Sequence, residues 1–130
     1  MKKLLLILFL LPLITQAQNK KDNTFILSPV SYAAIKSVLF QNGYTLINDD
    51  TILITTTSKE MSRIPVALRF MINRTGDQTI LKAQWKVTTD PGDFAELHYG
   101  GIKGNWSMKG WWETDRIAKL LSPDVTYAKQ

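Results

Sequence analysis

The chain has 130 residues, no cysteine and a formal net charge of +5 at pH 7. Without cysteine it can form no disulfide, and it has no thiol to acylate, so it is not a lipoprotein of the usual kind. Its lysine and arginine residues are scattered rather than clustered, so we expect no nucleic-acid partner.

The N-terminal segment has the three-part pattern of a cleaved secretory signal peptide. Lys2 and Lys3 give a short positive region, the apolar run Leu4–Leu11 follows, and "TQA" offers small residues before a cleavage site after Ala17. The apolar run is shorter than the roughly 20 residues that span a bilayer, so we expect no stable membrane anchor. An uncleaved N-terminal anchor is the alternative interpretation.

Removal of residues 1–17 as a signal peptide would leave residues 18–130 as a single domain, located in the periplasm or outside the cell. A domain of this length buries roughly 65% of its unfolded surface, which is enough for a core without disulfides. Its 14 basic and 11 acidic side chains leave only a mild positive charge.

The segment "SPVSYAAIKSVLFQNGY" predicts the first helix, from Pro29 to Asn42. Ser28 is a suitable N-cap, and proline is tolerated at the first helical position because its missing N–H would be unpaired there anyway. Gly43 is suited to a left-handed C-cap, and Tyr44 follows it as an apolar contact. The apolar face has helical spacing and consists of Tyr32, Ile35, Val38 and Leu39.

The next segments have the patterns of antiparallel strands. "YTLI" and "TILITTT" flank the polar turn Asn48–Asp50 and should form a hairpin. "IPVALRFMI" and "TILKAQWKVTT" alternate between apolar and polar residues, which predicts one buried and one solvated face. The predicted buried face comprises Ile64, Val66, Leu68, Phe70 and Ile72 in the first segment and Leu81, Ala83, Trp85 and Val87 in the second.

The last third of the chain is less regular. "FAELHYGGIKGNW" could form a further strand or an extended loop, since its glycines favour irregular backbone. "ETDRIAKLLSP" predicts a short helix after the tryptophans, capped by Thr114 or Asp115 and ended by Pro123. The tail "DVTYAKQ" is predicted to be loose, like the polar lead-in at residues 19–23.

Together these elements predict an α+β fold. Runs of strands framed by helices are typical of this class, and an antiparallel sheet with one apolar face needs helices to cover it. We expect a two-layer sandwich with the order helix, four or five antiparallel strands, helix.

Residues that could carry catalysis are sparse. His98 is the only histidine, and with Glu96 and Asp93 it makes a weak candidate metal site, because zinc sites need three or four ligands. No G-x-S-x-G motif or glycine-rich phosphate loop is present. We therefore expect no enzymatic activity, metal or cofactor. A small metal-dependent hydrolase centred on Glu96 and His98 is the alternative.

The stretch "NWSMKGWWET" places three tryptophans within seven residues. Adjacent side chains cannot point the same way, so at least one of Trp111 and Trp112 should be partly exposed. Together with Trp106 and the nearby Tyr99, they are the candidate binding residues for a sugar, a peptide or a partner protein. We favour the interpretation that Trp106 and one of the pair anchor the last helix to the sheet, because large aromatic residues are mostly buried; an aromatic binding surface is the alternative.

The order of these features resembles that of a group of small bacterial envelope domains. In "SYAAIKSVLFQNGYTLINDDTILITT" a helix ends in glycine and an aromatic residue and leads into a hairpin with an aspartate turn. "IPVALRFMI", "ILKAQWKVTT" and "WWETDRIAKLL" then supply strands and a closing helix.

This layout is similar to the repeated domain of BamC-type accessory lipoproteins of the outer-membrane barrel-assembly machinery, and to exported proteins of unknown function with the same order of elements. The resemblance covers most of residues 18–130. The chain departs from it in having one domain and no lipidated cysteine, and no functional residues carry over.

From these features we expect a non-enzymatic binding or accessory domain of the bacterial cell envelope. Its partner would be a protein or an envelope glycan that contacts the aromatic-rich segment 100–112 or the sheet edge. An inhibitor of a secreted enzyme is a further alternative.

Overall fold

A computed structural model describes residues 22–48, 50–100 and 105–130. The predicted signal peptide and Asp49, the middle residue of the predicted turn, lie outside the described residues. Within the described ranges the chain forms two helices, α1 at Tyr32–Gln41 and α2 at Asn105–Leu121, and seven strands. The strands are β1 Thr24–Leu27, β2 Leu53–Thr55, β3 Lys59–Glu60, β4 Val66–Arg74, β5 Thr79–Val87, β6 Ala95–Glu96 and β7 Val125–Ala128.

The described strands form one antiparallel sheet with the order β2-β4-β5-β1-β7. β3 pairs with β4 on the same edge as β2, and β6 pairs with β5 on the same edge as β1. β4 and β5 form the longest pair, in which Phe70 lies opposite Ala83. The alternation predicted for these strands is confirmed for the buried residues Val66, Leu68, Phe70, Ile72, Leu81 and Ala83, whereas Trp85 and Val87 are half-buried.

Both helices pack on the face of the sheet that these residues form. Ile35 of α1 and Trp111 and Ile117 of α2 are buried in the same apolar cluster as Phe70 of β4. On the other face of β4, Met71 is exposed. The predicted α+β two-layer sandwich is therefore confirmed.

The predicted order of elements is wrong at both ends, because a strand precedes α1 and another strand follows α2. β7 pairs with β1 over four positions, so the tail that was predicted to be loose belongs to the sheet. The ring of Tyr127 in β7 also packs edge-on against Phe25 in β1, with 5.5 Å between the ring centroids. Strand pairing and aromatic packing together order this segment.

Asp22 and Asn23, predicted to lie in a mobile lead-in, are buried. The Asn23 side chain donates to the Glu96 carboxylate and to the Gln130 carbonyl, both at 2.8 Å. It also accepts the Gln130 N–H at 2.9 Å. Because a buried amide is stable only when its hydrogen bonds are made, this arrangement fixes the start of β1 to the end of the chain and to β6.

Helix α1 begins later than predicted. Ser31, not Ser28, is the N-cap, since its hydroxyl accepts the N–H of Ala34 at 3.1 Å. Pro29 precedes the helix because residues 28–30 connect it to β1, and the buried Val30 donates its N–H to Thr79 Oγ1 at 3.1 Å.

The C-terminal end of α1 has the predicted geometry. Gly43 adopts a φ of 86°, the left-handed conformation of a helix C-cap. Its N–H donates to the Phe40 carbonyl and the Tyr44 N–H donates to the Leu39 carbonyl, the bonds of a Schellman motif. The chain then returns beside β2, where Leu46 forms an isolated antiparallel bridge with Thr56. Only β2 of the predicted hairpin is a full strand.

Helix α2 begins eight residues before the predicted position, so the three clustered tryptophans lie within it. Neither Thr114 nor Asp115 is a cap. Thr114 is buried in the helix interior and donates its hydroxyl to the Gly110 carbonyl at 2.8 Å, which satisfies it without a helix end. Asp115 forms an ion pair with Lys119 one turn later.

Candidate functional site

The four predicted aromatic binding residues divide into buried and exposed pairs. Trp111 has no exposed surface, and its ring centroid lies 4.4 Å from that of Phe25 and 5.6 Å from that of half-buried Tyr99. Trp112 is 60% exposed and Trp106 is 41% exposed. Trp111 and Tyr99 therefore belong to the core packing, and only Trp106 and Trp112 can present an aromatic face to a ligand.

The exposed Trp112 lies beside a depression between α2 and the β3–β4 connection, here called the Trp112 groove. Its outer part has a volume of about 410 Å³ and its inner part a volume of about 310 Å³. Both parts are lined by Met61, Ser62, Glu113 and Arg116; the outer part adds Arg63, Ile64, Lys109 and Trp112, and the inner part adds Tyr44 and Lys59. Trp106 is not among the lining residues.

One side of α2 forms a wall of this groove. Trp112, Glu113 and Arg116 follow Lys109 by three, four and seven residues, a spacing that places all four on one side of a helix. The buried residues of α2 lie on its other side, against the sheet: Ser107, Gly110, Trp111, Thr114, Ile117 and Ala118. Helix α2 therefore packs into the core with one side and lines the groove with the other.

The β3–β4 connection forms the other wall. Its base is closed by the Met61 N–H, which donates to the Val66 carbonyl at 2.7 Å. At its tip Arg63 has a φ of 71°, and among the described non-glycine residues it alone has a positive φ. This conformation costs a non-glycine residue roughly 1–2 kcal/mol. Backbone strain of this kind clusters at functional sites, which supports a role for this loop beyond joining two strands.

Two of the groove cations are held by hydrogen bonds. Arg116 Nε lies 3.1 Å from Glu113 Oε2, and Arg116 Nη2 lies 3.0 Å from Asn42 Oδ1. The hydrogen bond with Glu113 raises the pKa of Arg116 above its usual value, so the guanidinium stays charged. The Lys59 ammonium donates to the Asn42 carbonyl at 2.6 Å and lies 5.2 Å from the centre of the Tyr44 ring.

The other two groove cations have no counter-ion in the described part of the chain. Arg63 and Lys109 are exposed, and neither forms an ion pair or a side-chain hydrogen bond with any residue in the described ranges. Both line the outer part of the groove together with Trp112. An aromatic face with two uncompensated positive charges is thus accessible from solvent.

Tyr44 closes the inner part of the groove and is 2% exposed. Burial raises the pKa of its hydroxyl far above the ordinary value, and the negative charge of Glu113 raises it further, against a smaller opposing effect of Arg116. The hydroxyl therefore stays neutral at physiological pH. It supplies a polar group to the groove but no phenolate nucleophile.

The candidate metal pair is not part of a larger ligand set. His98 Nε2 lies 3.7 Å from Glu96 Oε2, and both side chains are nearly half exposed. The Glu96 carboxylate is also engaged by Asn23 at 2.8 Å and lies 3.9 Å from Lys82 Nζ. No group of three or more His, Cys, Asp or Glu side chains within the described ranges is arranged to hold a metal ion. The hydrolase interpretation thus lacks a third ligand in this part of the chain.

A second groove, of about 850 Å³, lies between α1 and residues 44–48. It exposes Phe40 and Ile47, which are 79% and 62% accessible, and Lys36 is the one charged residue among its described lining residues. Contacts there would depend on apolar burial, whereas the Trp112 groove combines an aromatic ring with several charges.

Sequence reasoning missed most of the Trp112 groove. The signal that could have revealed its α2 wall is the spacing of Lys109, Trp112, Glu113 and Arg116, which is hidden if the helix is taken to begin at Glu113. The wall that carries Met61 and Arg63 gives no such signal, because it follows a strand of two residues.

No protein-family model matches the chain, and a search of curated proteins finds no sequence of significant similarity. Among the described residues, no helix is both long enough and apolar enough to cross a membrane. The resemblance to BamC-type domains stays a prediction, and function has to be inferred from the groove.

Proposed function

We propose that this protein is an exported, non-enzymatic binding domain of the bacterial cell envelope, and that it contacts its partner through the Trp112 groove. The observation that carries this proposal is the exposure of Trp112 in a groove that it lines together with Arg63 and Lys109, two cations without a counter-ion in the described ranges. Leaving a tryptophan 60% exposed forgoes the stabilisation that its burial would give, which favours a role in contact with another molecule.

The chemistry of the groove favours binding over catalysis. The one carboxylate among its described lining residues, Glu113, is paired with Arg116, and Tyr44 is held neutral, so neither is placed as a general base. Ser62 lines the groove without a histidine beside it among the lining residues. A rigid aromatic face, charges and a preformed depression are the components of a recognition site.

The export and the location in the periplasm or outside the cell rest on the sequence of residues 1–17. N-terminal sequencing of the protein recovered from its bacterial source tests this part, with Gln18 as the expected first residue. Recovery of the chain with Met1 intact would contradict it.

The groove is tested by capture from a solubilised envelope extract, with the wild-type protein, Trp112→Ala and Trp106→Ala as baits. Trp106 is a matched control, since it is also an exposed tryptophan of α2 but lies outside the groove. We expect Trp112→Ala to lose the captured partner and Trp106→Ala to retain it. Equal capture by all three baits would overturn the assignment of the groove.

A further inference from the structure

This inference rests on the proposed function, in which the Trp112 groove binds a partner. We infer that the partner is a protein segment with several carboxylate side chains next to an apolar side chain. The inference rests on the charge of the groove, on its apolar lining and on the shape of its outer part.

The charge of the groove is strongly one-sided. Among the described residues, four cationic side chains line it, Lys59, Arg63, Lys109 and Arg116, against the single carboxylate of Glu113. The Glu113 carboxylate is already neutralised by Arg116. The whole chain carries 16 basic and 11 acidic side chains, so this local excess is much larger than the average for the molecule. The groove is therefore electrostatically complementary to an anionic ligand.

The two cations of the outer part are the ones that a ligand would engage. Arg63 and Lys109 have no counter-ion in the described ranges, while Lys59 and Arg116 are already bonded to Asn42. Pairing a carboxylate with either free cation breaks no contact of the protein. Arg63 belongs to the β3–β4 wall and Lys109 to the α2 wall. A ligand with two carboxylates can pair with both cations, whereas a single carboxylate can pair with only one. This favours a segment with repeated acidic residues.

The apolar lining favours a protein over a sugar. Met61, Ile64 and Trp112 contribute apolar surface to the outer part, and tryptophan, methionine and arginine are the residue types that interfaces between proteins enrich. A glycan would need several hydrogen-bonding side chains for its hydroxyls. Apart from the cations, the described residues of the outer part offer only the Ser62 hydroxyl and the Glu113 carboxylate, which is already paired with Arg116.

The outer part also has a suitable size. Its volume of about 410 Å³ is near the lower end of the range for small-molecule sites, about 300–1,000 Å³, and it is open to solvent along the helix. It can take one apolar side chain of an extended segment against Trp112, with the flanking acidic side chains beside Arg63 and Lys109.

The test uses displayed random peptides of about 12 residues, selected on the immobilised wild-type protein. We expect enriched sequences with an excess of Asp and Glu and at least one apolar residue. The affinity of a synthetic enriched peptide should fall about tenfold in Trp112→Ala and in Lys109→Glu, and by less than about twofold in Lys129→Glu, the matched change at an exposed lysine outside the groove. Raising the salt from about 0.05 to about 0.3 M should weaken binding.

Enriched peptides without an acidic excess, or with affinities that Lys109→Glu leaves unchanged, would overturn the inference. Oligogalacturonate is titrated in parallel as an anionic sugar. If its binding depends on Trp112 and Lys109 in the same way and no acidic peptide is enriched, the groove binds a glycan. In that case the peptide inference fails and the proposed function stands.

The proposed function itself fails if neither probe binds and capture from the envelope extract is insensitive to Trp112→Ala. Circular dichroism and thermal unfolding confirm that each variant is folded.

Discussion

The adjacent residues Trp111 and Trp112 have opposite environments on one helix. Trp111 fills the core against Phe25 and Tyr127, and Trp112 is 60% exposed beside the groove. We expect Trp111→Ala to lower the free energy of unfolding by about 3–5 kcal/mol, as large-to-small core changes do. Trp112→Ala should change it by less than about 1 kcal/mol. Urea unfolding of both variants measures the difference, and similar losses would show that the two side chains are not divided in this way.

Asn23 provides a second prediction for a single residue. It is 4% exposed and forms hydrogen bonds with Glu96, Thr24 and Gln130. Asn23→Ala would remove the hydrogen bonds to Glu96 and Gln130 and take a partner from the buried Thr24 hydroxyl, so we expect a loss of about 2–3 kcal/mol in the free energy of unfolding. Asn73→Ala, at an exposed position of β4, is the control and should cost no more than about 0.5 kcal/mol. Equal effects at the two sites would contradict a structural role of Asn23.

At the scale of single elements, Gly43 determines where α1 ends. Its φ of 86° is unfavourable for other residues, and a Cβ there would lie 3.2 Å from Lys59 Cε. We expect Gly43→Ala to destabilise the protein by about 1–2 kcal/mol in a thermal or urea transition. Gly76→Ala is the matched control, because a Cβ at that turn meets nothing within 4 Å. A Gly43→Ala variant as stable as Gly76→Ala would argue against the left-handed cap.

The elements that could be predicted from the sequence are those with local signals. The alternation of Val66, Leu68 and Phe70 identifies β4, and the Asn-Gly-Tyr sequence identifies the end of α1. β1 and β7 were missed because each is four residues long and their pairing joins residues about a hundred positions apart. Short strands of this kind are stabilised by tertiary contacts rather than by their own pattern.

The candidate site was predicted only in part, for the same reason. That one of Trp111 and Trp112 is exposed follows from helix geometry, but which one depends on the side of α2 that faces the sheet. That Arg63 and Lys109 line the same groove depends on the tertiary arrangement of the β3–β4 loop and a helix more than 40 residues later. No local pattern in either segment encodes that arrangement.

For the whole molecule, the raised pKa of Tyr44 predicts a loss of stability in alkali. The folded state holds the hydroxyl protonated more tightly than the unfolded state, so this contribution is present below about pH 10 and is lost as the pH rises above that value. The raised pKa of Lys119 acts in the same direction. The substitution Tyr44→Phe removes the contribution of Tyr44 and leaves that of Lys119.

We therefore expect the free energy of unfolding of the wild-type protein to fall more steeply than that of Tyr44→Phe between about pH 10 and pH 11, by up to about 1.4 kcal/mol per pH unit. Urea unfolding at each pH measures the slope for both proteins. The difference between their free energies of unfolding at pH 7 gives the pH-independent effect of removing the hydroxyl. Parallel curves above pH 10 would mean that Tyr44 titrates alike in the folded and unfolded chain.

The division of roles between the two adjacent tryptophans can be measured directly by hydroxyl-radical footprinting of the protein, first alone and then saturated with the partner proposed above. We predict that Trp111 is protected in both states, that Trp106 is oxidised in both, and that Trp112 is oxidised in the free protein and protected in the complex. Oxidation of Trp111 in the free protein, or an unchanged rate at Trp112 in the complex, would contradict the proposed core and binding roles.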